Sequence, residues 1–94
     1  MQKKYIEGKT PSGFEFKIPA SVMNNMELVD LLSDYDGSES PIVLSKLCNL
    51  VLGKDQKQKL YDHVREKDGT VPIEKITTEI GDIFKASGSS GKNS

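Results

Sequence analysis

The sequence predicts an α+β fold, mostly α-helical, in which an N-terminal β-hairpin packs on about four helices and a disordered C-terminal tail follows. Phe14, Phe16 and Ile18 alternate with Glu15 and Lys17, the period-2 signature of a half-buried strand. From Val22 onward apolar residues recur at helical spacing, and from Ser87 onward no residue is hydrophobic.

Each element has a local reason. Thr10-Pro11-Ser12-Gly13 reads as a hairpin turn, since Pro at the second position presets φ and Gly at the fourth takes positive φ. Tyr5-Ile6-Glu7-Gly8-Lys9 is the natural partner strand. A two-stranded hairpin is unstable by itself, so its apolar face must rest on other elements. Pro19 closes the second strand, and Ser21 is the expected N-cap of a helix running to Tyr35. Val22, Met26 and Val29 form the stripe of that helix, flanked by Leu28, Leu31, Leu32 and Tyr35, and Asp36-Gly37-Ser38 ends it.

Ser40-Pro41 reads as an N-cap followed by Pro at N1. The helix it opens, Pro41 to Leu52, is apolar over much of its circumference, with Gly53 as its expected C′ residue. A polar helix follows from Asp55 to Lys67, with Leu60, Tyr61 and Val64 as a narrow apolar side. Asp68-Gly69 is a turn, and Pro72 belongs to the first turn of the last helix. Ile73, Ile76, Ile80 and Ile83/Phe84 make the stripe there, with Gly81 set within it as a site for close packing.

With 94 residues the chain has room for one domain, expected over residues 1–86 with 87–94 as a flexible tail. Thirteen Lys and Arg against 14 Asp and Glu leave a net charge of −1, which gives no electrostatic reason to bind nucleic acid or an anionic membrane. No apolar run approaches the roughly 20 residues of a bilayer span. Met1 to Glu7 carries a basic pair without the apolar stretch of a signal peptide. The lone Cys48 makes no internal disulfide, so a reducing compartment is expected.

The residues suggest no catalytic equipment. Cys48 and His63, the soft ligands apart from thioethers, fall on different helices and assemble no zinc set. Cys48, beside Leu44 and Leu47, reads as a buried apolar thiol, and His63 on the polar helix reads as solvent-facing. Asp34, Asp36 and Gly37 lack the spacing and closing Glu of a calcium loop. The expectation is therefore a non-enzyme with no cofactor and no metal. A helix-turn-helix DNA-binding regulator around Gly53 is the alternative, although Lys54, Lys57, Lys59, Arg65 and Lys67 against Asp55, Asp62 and Glu66 leave a segment charge of only about +2. The excess apolar surface of Pro41–Leu52 marks either a central helix or a sticky face. Leu44, Leu47, Leu50 and Val51 are the candidate core or groove, with Ile76, Ile80 and Phe84 as a second face for a partner.

The order of segments carries a resemblance. Gly8-Lys9-Thr10-Pro11-Ser12-Gly13-Phe14-Glu15-Phe16 leads into Met26-Glu27-Leu28-Val29-Asp30-Leu31-Leu32-Ser33-Asp34. Val51-Leu52-Gly53-Lys54-Asp55-Gln56, Tyr61-Asp62-His63-Val64-Arg65 and Asp68-Gly69-Thr70-Val71-Pro72-Ile73-Glu74 follow, and the chain closes on Gly91-Lys92-Asn93-Ser94. Over nearly its full length this layout resembles the tail assembly chaperones of long-tailed (siphovirus-type) phages and prophages of Gram-positive bacteria. The resemblance implies a protein of the bacterial cytoplasm, absent from the mature virion, that forms homo-oligomers. It implies binding and solubilising of the tape measure protein and recruitment of tail tube protein. It also implies a programmed −1 frameshift, since Gly91-Lys92-Asn93 can be encoded GGA-AAA-AAC, which contains the slippery A-AAA-AAC.

Overall fold

The computed structural model describes residues 4–87. Strands β1 (Tyr5–Lys9) and β2 (Glu15–Pro19) form an antiparallel hairpin in which Ile6 faces Ile18, Glu7 faces Lys17 and Gly8 faces Phe16. A short 3-10 helix, Ala20–Asn24, leads into α1 (Met26–Ser38), α2 (Pro41–Val64) and α3 (Ile73–Ser87). The structure is thus mostly helical with one hairpin, as expected. The tail expected from Ser87 lies, from residue 88, outside the described residues; Ser87 itself ends α3, its Oγ donating to the Ile83 carbonyl at 2.6 Å.

The sequence predicts four helices, and among the described residues there are three α-helices. The segments placed at Pro41–Leu52 and Asp55–Lys67 run together as α2, within which Gly53 alone leaves helical geometry. Its φ of 76° and ψ of 169° lie where essentially only glycine is found, so the chain bends there and then resumes the helix. Gly53 has the positive φ of a C′ residue, but Gln56 Nε2 bonds back to the Leu52 carbonyl at 3.1 Å and ties the two halves together. The helix stops at Val64, short of Lys67, because Arg65 turns extended. Its guanidinium spans the loop, donating to the Gly69 carbonyl and to Asp62 at 2.9 Å each. Hydrogen bonds from Arg65 and Gln58 hold the Asp62 carboxyl below the usual carboxylate range.

The first helix also starts later than its sequence suggests. Ser21 falls inside the 3-10 segment, and Asn25 is the N-cap, its side-chain oxygen accepting the Glu27 N–H at 2.9 Å. The shift changes which face points inward. The 3-10 turn advances about 120° per residue instead of about 100°, and extended Asn25 breaks the phase altogether. Leu28 is consequently buried and the half-buried Leu31 and Tyr35 pack against the core, while Met26 and Val29 of the expected stripe face solvent. The helix runs through Asp36 and Gly37 to Ser38, and Glu39 in left-handed geometry ends it. The Ser40 cap and Pro41 start stand as expected, with Ser40 Oγ accepting the Ile42 N–H at 3.2 Å.

The core lies between the hairpin and the helices, with α2 behind β2 and α3 behind β1. Phe14, Phe16 and Ile18 join Leu47, Val51, Leu60, Ile80 and Ile83 in one buried cluster. Burial of each such side chain contributes about 1.5–3 kcal/mol, and their convergence explains why a two-stranded hairpin persists here. Pro72 stands just before α3, its carbonyl accepting the Ile76 N–H. Gly81 is not a close-packing site, because a Cβ there would meet nothing within 4 Å.

These two glycines should respond oppositely to substitution. Gly53→Ala is expected to destabilise by about 1–3 kcal/mol through strain at positive φ, and Gly81→Ala to stabilise by up to about 1 kcal/mol through helix propensity. Urea titrations of the two variants check this; equal shifts of the same sign would contradict it.

Candidate functional site

The residues singled out for partner binding converge, but mostly inward. Leu44, Leu47 and Val51 of α2 and Ile76 and Ile80 of α3 are buried in the core, and Leu50 and Phe84 are half-buried at its edge. Two of the buried ones also reach the surface from below. Leu44 and Ile76 form the floor of a groove of about 130 Å³ between the start of α2, the second half of α2 and the start of α3. Tyr61 and Val71 wall it, with Ser45, and Pro41 and Ile73 form its rim.

The rim is unusually apolar for exposed surface. Ile73 is 56% exposed and Ile42, next to Pro41, is 70% exposed. On α1, Met26, Val29 and Leu32 stand three residues apart along the outward face, with Met26 67% exposed. Scattered apolar residues on a surface are normal, but a row along one helix face and an apolar rim around a groove are sites where another chain can gain burial. One wall carries a cation: Lys57 Nζ donates to Ser45 Oγ at 3.1 Å and lies 5.7 Å from the centre of the Tyr61 ring. Apart from Ser45 and Tyr61 the lining of the groove is apolar, and Lys57 stands outside it, against those two residues.

Periodicity grouped Ile73 with the buried Ile76 and Ile80. It opens the first turn of α3, and the packing of that turn leaves it 56% exposed. No local pattern links Tyr61 and Val71 to Leu44, because the bend at Gly53 and the loop at Asp68-Gly69 are what bring them there.

Beyond the groove, the hairpin turn holds a polar chain that spacing did not reveal. Buried Thr10 Oγ1 donates to Glu79 Oε1 at 2.8 Å and accepts the Phe14 N–H at 3.2 Å. Ser12 Oγ lies 3.1 Å from Thr10 Oγ1 and 3.0 Å from His63 Nε2, and the His63 ring tilts against Phe14 at 5.7 Å. His63 is exposed, as expected, yet it faces a serine across 51 residues of sequence. A hydroxyl beside an imidazole is the start of a nucleophile–base pair, but no acceptor orients His63 Nδ1 among the described residues. The chain fastens the turn to α2 and α3.

Cys48 is fully buried, and burial pushes its thiol up from 9.0 to about 11, with Lys57 pulling the other way. Among the described residues, no three of His, Cys, Asp or Glu gather as a metal site, and no helix is long and apolar enough to cross a membrane. No protein-family model matches the chain, and no curated protein or solved structure is significantly similar to it.

Two expectations follow from this geometry. Thr10→Val should cost about 1–3 kcal/mol, because it strands the Phe14 N–H and Glu79 together, whereas Glu79→Gln keeps an acceptor and should cost less than about 1 kcal/mol. Paired thermal melts decide it. The folded Cys48 thiol should resist iodoacetamide at pH 8 and react at once in urea. Because its folded pKa is raised, the stability tied to it is fully present below pH 9 and is lost as pH rises toward 11. Cys48→Ala should flatten that alkaline loss in denaturation midpoints.

Proposed function

We propose that the chain is a tail assembly chaperone of long-tailed phages or prophages of Gram-positive bacteria. In this reading it works in the host cytoplasm, self-associates, and coats the tape measure protein as that long helical chain is made. It keeps the tape measure soluble, helps recruit tail tube protein, and is absent from the finished virion. No step requires a catalytic residue, cofactor or nucleic acid.

The observation that supports it best is the groove rimmed by Ile73 and Pro41 over Leu44 and Ile76. A tape measure exposes long apolar helical faces that aggregate unless covered, and a groove between helices takes the apolar face of an amphipathic helix one anchor at a time. Each site is small, so single contacts are weak. Many copies on one long chain reach high occupancy through effective concentration. The exposed row Met26, Val29 and Leu32 adds apolar area outside the groove. The order of hairpin, helices and turns along the sequence is the second support.

The test is co-expression with an isolated helical fragment of a tape measure protein, followed by titration of the purified pair. The fragment should become soluble only with the chaperone, and Ile73→Asp should weaken binding about tenfold or more without lowering the melting temperature appreciably. A fragment that neither binds nor is solubilised would refute the reading, and a salt-sensitive shift of duplex DNA would replace it with the DNA-binding regulator.

A further inference from the structure

The two edges of the hairpin are built differently. Thr10 N–H bonds the Phe14 carbonyl at 2.9 Å and Ala20 N–H bonds the Lys4 carbonyl at 2.8 Å. With the strand register, this alternation points the N–H and C=O groups of Ile6 and Gly8 toward β2 and those of Tyr5, Glu7 and Lys9 toward the outer edge. On β2 the outward groups belong to Glu15, Lys17 and Pro19. Gln56 occupies both groups of Lys17, its Oε1 accepting the N–H at 2.8 Å and its Nε2 donating to the carbonyl at 2.6 Å. Pro19 has no N–H to offer. The β2 edge is therefore closed to another strand, by the devices that edge strands ordinarily use.

The β1 edge has neither device. It contains no proline, and among the described residues no hydrogen bond reaches the backbone of Glu7 or Lys9 from outside the hairpin. We propose that β1 pairs edge to edge with β1 of a second copy, antiparallel about a two-fold axis through Gly8, giving a four-stranded sheet across two chains. In this register Glu7 of each chain exchanges backbone hydrogen bonds with Lys9 of the other.

Charge complementarity selects both the occupant and the register. Within one chain Glu7 lies 3.9 Å from Lys17, and Lys9 lies 3.9 Å from Glu15, all on the exposed face of the hairpin. Joining two copies at Gly8 extends each pair into a row of alternating sign: Lys17 and Glu7 of one chain, then Lys9 and Glu15 of the other. The two-fold axis makes this row twice. The register centred on Glu7 sets Glu7 against Glu7 instead, with like charges opposed. Gly8 suits the axis because it has no side chain where the two backbones come closest. Its inner side is already covered by Phe16, whose ring would lie 2.8 Å from a Cβ at that position. The pairing stands on the hairpin alone and holds whatever the groove binds.

The experiment is sedimentation equilibrium at low salt on the full chain and two variants, Glu7→Lys and Lys9→Glu, with circular dichroism to verify the fold at these exposed positions. The native chain should dimerise, and each variant alone should dimerise about tenfold or more weakly, since two cross-chain pairs become repulsive. Mixed in equal amounts, the variants should recover the native affinity. In the mixed dimer both positions of the first variant are basic and both of the second are acidic, so each cross-chain pair is again of opposite sign. A native chain that stays monomeric to about 1 mM overturns the proposal. So does a dimer indifferent to both variants, or a mixture no tighter than either variant alone.

Discussion

Phe14, Phe16 and Ile18 put one demand on the rest of the chain: a two-stranded ribbon in water does not hold three large apolar side chains in order, so a surface must be provided for them. The helices provide it. Leu47 and Val51 come from the first half of α2, Leu60 from the second, and Ile80 and Ile83 from α3, and all meet the hairpin in one cluster. Because the hairpin has a single apolar face, its seating fixes which sides of α2 and α3 turn inward. The apolar circumference of Pro41–Leu52 follows from this, since that helix is covered by the hairpin, by α1 and by α3. What remains exposed there, at Ile42, is what these neighbours do not reach.

The seating is locked by polar contacts at two places. At the turn, Thr10 and Glu79 meet inside the protein, so the loop of the hairpin and the middle of α3 cannot move apart without leaving polar groups unpaired. Along β2, the Gln56 amide takes the place of a neighbouring strand. Gln56 follows closely on the bend at Gly53, and that bend directs the second half of α2 along the hairpin. A single glycine with positive φ thus supports both the burial of Leu60 and the closure of one sheet edge.

A domain this small has little interior, so apolar residues that a larger protein would cover stay at the surface. Here they collect around the groove at Leu44 and Ile76 and along the outer face of α1. The hairpin meanwhile offers a different kind of surface, made of backbone groups and paired charges. The apolar groove belongs to the helical side and the unpaired strand edge to the hairpin.

Much of this was legible locally. The hairpin and its turn, the Ser40-Pro41 helix start, the turn at Asp68-Gly69 and the buried thiol of Cys48 each follow from a few neighbouring residues, because turn chemistry, capping and strand alternation act over short range. The face that α1 buries was decided elsewhere. Its phase depends on the 3-10 turn after Pro19 and on the extended Asn25 that follows it. The joining of two expected helices through Gly53, the Thr10–Glu79 contact across 69 residues, and the exposure of Ile73 were likewise tertiary outcomes. Periodicity shows that a helix has an apolar side, but only the packed neighbours determine how much of that side they cover. Short-range chemistry therefore settled the hairpin, the turns and most of the core, whereas the three-dimensional packing settled where α1 begins, that two helical segments join as α2, and which apolar groups and which strand edge stay uncovered.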